Sequence, residues 1–375
     1  MWRSSSYRDG EQGITLVELM VGIVISAIVI AGGFTVLTTT NKAQSVNSQT
    51  VETQQNVRTA IDLISRDIRQ AGFGMVGPVG NCPTAIVPSD NTVGGADVGP
   101  DRISLVVPVG NPVGAAAAPA WVLQSAVGPG FNQIALPTSQ AVTDMTAQAG
   151  STLNNSTLTI RGVATATVTS ASGSSITITP VAAPAAFGPN TPVYLLQCIT
   201  YQVIPPPDLN GLCGGRSPCL VRGVAPGGLN CNVPGSTCSS VADEIEDIQF
   251  AYACDGCSLG INGGVPDQII DDVGTGPAGF DDTDFISNNT WATGVMTPDK
   301  IRMVRVWVVG RQRMADRGLG EANSQTAPGQ VLQVSDHNHT AGLYVAGDFA
   351  TLNPPYTSTR RRILTQTVEG RNPGR

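Results

Sequence analysis

A single carboxylate, Glu18, interrupts an otherwise uncharged apolar segment that extends over residues 14–37. At 1.5 Å rise per residue, about two dozen helical residues cover the ~30 Å hydrocarbon core of a bilayer. A carboxylate inside such a segment costs on the order of 2 to 3 kcal/mol. The sequence therefore predicts a membrane-spanning helix in which Glu18 has a specific role.

A short polar leader, residues 1–13, precedes this segment. The sequence Gly13-Ile14-Thr15-Leu16-Val17-Glu18 resembles the class III leader of type IV prepilins and type II secretion pseudopilins. The resemblance implies that a prepilin peptidase cuts after Gly13 and methylates the new amine of Ile14, and that Glu18 serves assembly. Ile14 stands where the family usually has phenylalanine, so another apolar residue would accept the methyl group.

Two other interpretations of the apolar segment stay open. A secretory signal peptide would be cut near Ala31-Gly32-Gly33. The charge inside the apolar run and the helical pattern beyond it disfavour this interpretation. In a plain single-span anchor, the carboxylate of Glu18 would reach toward the membrane interface. The first residue of the mature chain separates the signal peptide from the pilin-type helix.

The second half of the helix, residues 38–72, is predicted to be amphipathic. No proline or glycine occurs from Thr38 to Ala71, and apolar residues recur at spacings of four, three and four. These residues are Val57, Ile61, Ile64 and Ile68. Since this spacing places them on one helix face, we expect the face to pack on a globular head and the helix to end at Gly72 or Gly74.

Four blocks are similar to the PilW family of type IV pilus minor pilins. They are the helix exit at residues 60–73, an acidic helix-to-strand segment at residues 241–252, an arginine-bearing strand at residues 301–309 and a closing strand at residues 360–372. Cys82 also falls where such proteins often have a cysteine. Residues 76–237 carry no comparable resemblance.

Residues 73–375 are predicted to form one β-rich head. Charged residues make up only 13 % of the chain, whereas 43 glycines and 26 prolines favour frequent turns. Period-two or β-branched runs, typical of strands, occur at residues 102–107, 157–160, 165–169, 175–179, 193–204, 301–309 and 363–368. The predicted fold class is α+β, with a long N-terminal transmembrane and amphipathic α-helix packed on a disulfide-stapled antiparallel head.

The eight cysteines all lie outside the membrane segment. They are Cys82, Cys198, Cys213, Cys219, Cys231, Cys238, Cys254 and Cys257. Seven of them crowd into a glycine- and proline-rich stretch that is not expected to form a core by itself. An even number of cysteines in this context favours disulfides in an oxidising compartment, with the pairing left open. The alternative is a structural zinc site built from the last four cysteines.

Carboxylates cluster in a glycine-rich part of the head. They are Asp255, Asp267, Asp271, Asp272, Asp281, Asp282 and Asp284. Such hard oxygen ligands suit calcium, although their spacing does not match an EF-hand. A solvated acidic loop, in a chain of net charge -7, is the simpler interpretation. Calcium is kept as the alternative, and no other cofactor is predicted.

The sequence does not predict an enzyme. Its two histidines, His337 and His339, lie in a polar segment, and no nucleophile elbow, Walker A loop or zinc-protease motif occurs. The run Arg360-Arg361-Arg362 lies on a predicted strand. We expect it to pair with the acidic segment near Glu244 and not with phosphates, so no nucleic-acid partner is predicted.

The resemblance implies a minor pilin that primes a type IV pilus or enters it through its N-terminal helix. Its partners would be the prepilin peptidase, other minor and major pilins, the pilus assembly platform and a tip adhesin. It would span the inner membrane of a Gram-negative-type envelope once, with a periplasmic head, and reach the extracellular pilus on assembly. The alternatives are a J-type pseudopilin of type II secretion and a membrane-anchored receptor or adhesin.

Overall fold

A computed structural model gives the fold. It describes residues 14–314, 332–333, 338–339 and 360–370, without 91, 94–95, 98, 112, 115–119, 182–185, 209, 216, 225–229, 232, 234–235, 275, 288–290 and 292–293. The leader 1–13 and His337 therefore lie outside the described residues. The chain divides into two compact units, Met1–Val51 and Glu52–Arg375.

The long helix α1 spans Leu16–Gln70. In the first unit every side chain from residue 14 to residue 37 is exposed, including Ile23 at 60 % and Leu37 at 63 %. Among the described residues, α1 is the helix that is long and apolar enough to cross a membrane, judged by length and composition. Its exposed apolar run therefore agrees with the predicted membrane-spanning segment.

In the second unit, α1 packs its apolar stripe on the head. The predicted stripe is confirmed, because Val57, Ile61, Ile64 and Ile68 are each at most 2 % exposed. The helix ends as predicted at glycines, since Gly72 has a φ of 76° that favours this residue. The Gly72 N–H then donates to the carbonyl of Val106 at 2.9 Å.

In the described part of the chain, the strands are accompanied by one further α-helix and three short 3-10 helices. The strands are β1 (Ile86–Ser89), β2 (Thr92–Val93), β3 (Ala96–Asp97), β4 (Arg102–Val109), β5 (Gln133–Ala135), β6 (Thr157–Ile160), β7 (Ala164–Ser172), β8 (Ser175–Ile178), β9 (Val193–Ile204), β10 (Cys219–Val224), β11 (Cys238–Asp243), β12 (Ile245–Cys254), β13 (Ile301–Arg311), β14 (Leu332–Gln333), β15 (Asn338–His339) and β16 (Arg361–Glu369). Helix α2 is Ser139–Gln148, and the 3-10 helices are Asn262–Gly264, Asp282–Asp284 and Pro298–Lys300.

Two antiparallel sheets dominate the described part of the head. The first has nine strands in the order β1-β4-β9-β6-β7-β8-β5, with β10 paired to β9 and β11 paired to β10. The long strand β9 pairs with β4 along one edge and with β6 and then β10 along the other. The second sheet has the order β12-β13-β16. Both sheets and the stripe of α1 share one buried core, which includes Ile61, Leu105, Tyr201, Phe250 and Val306.

The predicted α+β fold class is confirmed, whereas one local prediction is wrong. Residues 241–252 do not contain a helix. Instead β11 ends at Asp243, Glu244 turns the chain with a φ of 57°, and β12 begins at Ile245. Every residue of β12 is buried and the strand pairs with β13, so its backbone hydrogen bonds belong to a sheet.

All eight cysteines are described and form four disulfides. The pairs are Cys82–Cys198, Cys213–Cys219, Cys231–Cys238 and Cys254–Cys257. The alternative zinc site is therefore wrong in this structure, because its four cysteines bond to one another. The cysteine-rich stretch also contributes more core than expected, since it supplies the mostly buried β10 and the fully buried β12.

Candidate assembly site at the start of the long helix

Thr15 and Glu18 form a reciprocal cap at the first turn of α1. Glu18 Oε2 accepts from the backbone N–H and from the hydroxyl of Thr15, each at 3.1 Å. In return, Thr15 Oγ1 accepts from the Glu18 N–H at 3.2 Å. This is the geometry of a capping box, in which side chains satisfy amides that the first helical turn leaves without partners.

The sequence contains the signal for this cap, although the sequence analysis did not use it. Thr15-Leu16-Val17-Glu18 has threonine three residues before glutamate at the start of an apolar run, which is the capping-box pattern. The cap occupies one oxygen of Glu18, and Oε1 has no hydrogen-bond partner among the described residues. The carboxylate is also at the helix N-terminus, where the macrodipole favours negative charge.

Ile14 lies directly before the cap and is 76 % exposed. Gly13, the predicted residue before the cleavage site, lies outside the described residues. The structure thus brings Ile14, Thr15 and Glu18 together within one turn at the end of the apolar segment. Their arrangement can present a carboxylate oxygen next to the position at which a new amine would form. The processing and assembly roles of these residues stay predictions.

A buried acid on the same helix fixes its head-packing half. Asp67 is 3 % exposed and accepts from the hydroxyl of Tyr201 at 2.7 Å and from Arg222 Nε at 3.2 Å. Since Tyr201 lies on β9 and Arg222 on β10, this carboxylate joins α1 to two strands. Burial, followed by the negative charge of Asp67, raises the pKa of the Tyr201 hydroxyl well above its usual value.

Two of the predicted calcium ligands instead hold backbone amides in the loop after β12. Asp271 accepts from the N–H groups of Gly256, Cys257 and Ser258 at 2.7 to 3.1 Å. Asp255 accepts from the N–H groups of residues 267 and 268 at 2.8 and 3.0 Å. Both carboxylates are almost fully buried. Each one therefore organises a turn in the loop that contains the Cys254–Cys257 disulfide.

An internal cation holds the same loop. Lys300 Nζ donates to the carbonyl oxygens of Gly256, Gly264 and Val295 at 2.7 to 2.9 Å. The role of this lysine could not be predicted from the sequence, because its three partners are backbone atoms from separate turns and leave no pattern of side chains.

The other predicted calcium ligands are engaged nearby but do not converge. Asp284 is buried and accepts from the N–H groups of Gly274 and Asp281 at 2.7 and 2.6 Å. Burial alone would raise the pKa of Asp284, but these backbone donors outweigh it and hold the pKa below its ordinary value. The remaining four carboxylates accept from an arginine, a side-chain amide, a hydroxyl or backbone amides, namely Asp267, Asp272, Asp281 and Asp282.

No group of three or more histidine, cysteine, aspartate or glutamate side chains in the described part of the chain is arranged to hold a metal ion. The carboxylates of the acidic loops act there as hydrogen-bond acceptors for the polypeptide itself. Binding of calcium by this chain stays an alternative from the sequence.

Comparison with known proteins gives one match, at the helix start described above. Residues 8–34 match the family model of the prokaryotic N-terminal methylation motif. No curated protein and no solved structure matches the chain. The matched residues include Gly13, Ile14 and Glu18, and the motif implies processing by a prepilin peptidase and assembly with other pilins. The match and the apolar helix together support a type IV pilin-like or pseudopilin-like protein that is anchored in a membrane before assembly.

Proposed function

We propose that this chain is a minor pilin of the PilW type, a structural component that primes a type IV pilus or enters it. The observation that carries the proposal is the capped start of α1, where Glu18 lies in the first turn of an apolar helix half that is exposed from residue 14 to residue 37. The methylation motif covers the same residues. An exposed apolar helix needs a lipid or protein environment, and a pilin finds the first before assembly and the second after it.

The proposed mechanism is helix packing. The helix is held in the inner membrane, is extracted by the assembly platform, and then buries its apolar side chains against neighbouring pilin helices. If the extracted helix met water instead, the cost would be about 25 cal/mol for each square ångström of apolar surface. Packing against other helices thus replaces the lipid contacts that are lost on extraction.

Glu18 would set the register of this packing. Cleavage after Gly13 creates an amine on Ile14, which is a positive charge at the positive end of a helix dipole. In a low-dielectric core this amine needs a nearby carboxylate. Because the cap uses Oε2, the Oε1 atom of Glu18 is the oxygen that would accept from the amine of an adjacent subunit. An offset neighbour would leave two buried charges without partners.

The finer assignment to minor pilins of the PilW type is supported by the four sequence blocks that resemble that family. Two of these blocks form the neighbouring strands β13 and β16, which pair along nine residues of each strand. The resemblance adds a priming complex with other minor pilins and a tip adhesin, from which the major pilin polymerises. It also places the head in the periplasm of a Gram-negative-type envelope before assembly and on the pilus afterwards.

The test is to delete the gene and to measure piliation, secretion and the location of the protein in complemented cells. We expect few or no pili in the deletion strain and, after complementation, the protein in sheared pili beginning at Ile14. A Gly13→Leu precursor should stay uncut in the membrane and should not restore pili. Lost secretion with normal pili would assign the chain to the pseudopilins. Normal pili and secretion, with all protein in the membrane fraction, would favour an anchored receptor.

A further inference from the structure

A groove of about 690 Å³ lies beside the last turn of α1, inside the second compact unit. Its volume falls within the roughly 300 to 1,000 Å³ that is usual for small-molecule sites. The residues that line it are Arg66, Arg69, Gln70, Phe73, Pro108, Gly110 and Tyr194. The groove therefore combines cationic, amide and aromatic side chains, and none of them belongs to the candidate assembly site.

Two aromatic rings form one side of the groove. Phe73 and Tyr194 meet edge to face with their ring centroids 5.5 Å apart, and both are half-buried. Gly110 keeps the Tyr194 ring accessible, because a Cβ at this position would lie 2.9 Å from Tyr194 Cε1. Gly162 has a φ of 71°, and a Cβ there would lie 2.8 Å from Phe73 Cε2. The backbone thus fits closely around both rings and fixes their orientation.

Two exposed arginines from α1 also line the groove. Arg66 and Arg69 are three residues apart, so their side chains lie on the same helix face. Arg66 Nε is 3.3 Å from Asp67 Oδ1, but Asp67 is also held by Tyr201 and Arg222. Arg69 has no ion-pair or hydrogen-bond partner among the described residues. The groove consequently carries an excess of positive charge in a chain whose net charge is -7.

A purely structural role accounts for only part of this arrangement. A basic residue in the last turn of a helix interacts favourably with the macrodipole, which explains Arg69. It does not explain why a second arginine and an ordered aromatic pair border the same open groove. Guanidinium groups bind carboxylates in a bidentate manner, and aromatic rings stack on flat or apolar faces.

We propose that this groove binds a small ligand that combines a carboxylate with a flat or ring-shaped carbon skeleton. The carboxylate would pair with Arg69 and Arg66, the ring would contact Phe73 and Tyr194, and the Gln70 amide would donate to a further oxygen. Acidic sugars and aromatic carboxylic acids share this chemistry. The proposal does not depend on pilus assembly, since every residue that it uses lies in the second compact unit, Glu52–Arg375.

The test measures binding to the mature full-length protein in detergent micelles by titration calorimetry and ligand-observed NMR. The probes are glucuronate for the acidic sugars and phenylacetate for the aromatic acids, and glucose and benzyl alcohol are their uncharged counterparts. We expect saturable binding of at least one acid, and binding of its uncharged counterpart about tenfold weaker or not detectable. Binding should also weaken with added salt, because the ion pair is partly exposed. The acid that binds identifies the ligand source.

Variants locate the site. Arg69→Gln should weaken binding of the acid about tenfold, and Gly110→Val should weaken it by displacing the Tyr194 ring. Arg58→Gln is the matched control, because it removes the same charge from an exposed position on α1 outside the groove. Unchanged far-UV circular dichroism and melting temperature of Arg69→Gln exclude misfolding. The proposal is overturned if neither acid binds, if the uncharged counterparts bind equally well, or if Arg58→Gln and Arg69→Gln have the same effect.

Discussion

Arg361 and Glu246 form a bidentate ion pair inside the three-stranded sheet. Arg361 Nε donates to Glu246 Oε2 at 2.5 Å and Arg361 Nη2 donates to Oε1 at 2.9 Å, and both side chains are fully buried. The pair joins β16 to β12 across the central strand β13. Glu246 is the extra residue in a register shift between Ile245 and Asp247, so a bulge directs its side chain away from the regular pattern.

Removing one partner of this ion pair should strongly destabilise the head. Glu246→Gln keeps the shape of the side chain but removes the negative charge that pairs with the buried guanidinium of Arg361. Such a loss costs about 3 to 5 kcal/mol. The free energy of unfolding in urea, measured for the full-length protein in detergent, checks this expectation. Glu369→Gln, an exposed glutamate on the same β16 strand, is the matched control and should change stability by less than about 0.5 kcal/mol.

The buried hydroxyl of Tyr201, which lies beside the charge of Asp67 and donates to it, should make stability fall at alkaline pH. Because the folded pKa of Tyr201 is raised, its contribution is complete below the unfolded value near 10 and is lost as the pH rises further. Tyr201→Phe removes this dependence, and it also costs about 1 to 3 kcal/mol near neutral pH because Asp67 loses a buried donor. Urea midpoints of both proteins at neutral pH and above pH ~10 test the two effects. If the urea midpoints of the two proteins fell equally with rising pH, Tyr201 would not be the group responsible.

Asp284 should make the folded protein less stable at low pH, whereas Tyr201 does so at high pH. Its folded pKa lies below the ordinary value of 3.8, so its stabilisation is present above that value and is lost as the pH falls through the folded pKa. Asp284→Asn should lower the free energy of unfolding at neutral pH. It should also make that free energy depend less on pH in the acid range. Asp62→Asn, an exposed aspartate on α1, provides the comparison. If the wild type stayed more stable than Asp284→Asn by the same amount in strong acid, this role of Asp284 would be contradicted.

The disulfides should differ in their effect on stability because they close loops of very different length. Cys82 and Cys198 are separated by 116 residues, and Cys213 and Cys219 by 6. By loop-closure entropy, the long bond contributes about 4 to 5 kcal/mol and the short one about 2 kcal/mol. Replacing each pair by alanines and measuring unfolding in urea compares them directly. A larger loss from the short loop would show that packing around the sulfurs outweighs chain entropy.

The sequence predicted those elements whose side chains follow a regular period. The stripe from Val57 to Ile68 has helical spacing because one face of α1 packs on the head. The strands β4 and β9 could be recognised from their β-branched runs. In contrast, β12 was missed as a strand because it is buried throughout and contains Glu246, Asp247 and Gln249. These polar residues break the expected alternation, and the ion-pair partner of Glu246 lies 115 residues away in sequence.

Functional residues could likewise be predicted only where they lie close together in sequence or form a clear charge pattern. Gly13, Ile14 and Glu18 form a local motif that can be recognised from spacing alone, and their roles in processing and assembly stay predictions. The expected pairing of the arginine run with the acidic segment near Glu244 is confirmed by Arg361 and Glu246. The groove beside Arg69 could not be predicted, because Phe73, Gly110 and Tyr194 come together only when α1, β4 and β9 pack.

The two roles open to Glu18, capping its own helix and pairing with a neighbour's amine, can be separated by substitution. Glu18→Gln keeps an oxygen that can accept from Thr15, because glutamine also serves in capping boxes, but it removes the charge. Glu18→Leu removes both functions. Thr15→Ala removes the hydroxyl that accepts from the Glu18 N–H and keeps the charge, at a cost of about 1 kcal/mol to the helix end. Comparing these three variants therefore assigns the role of the carboxylate.

We expect the charge to decide assembly. Glu18→Gln and Glu18→Leu should both reach the membrane, be cut after Gly13 and fold their heads, yet be strongly depleted from sheared pili. Thr15→Ala should assemble far better than either, and hydrogen exchange should show faster opening of its first helical turn. The amount of each protein in sheared pili, normalised to the amount in the membrane, is the measurement. If Glu18→Gln assembled as well as the wild type while Thr15→Ala failed, the carboxylate would act by capping its own helix, and pairing between subunits would be ruled out as its function.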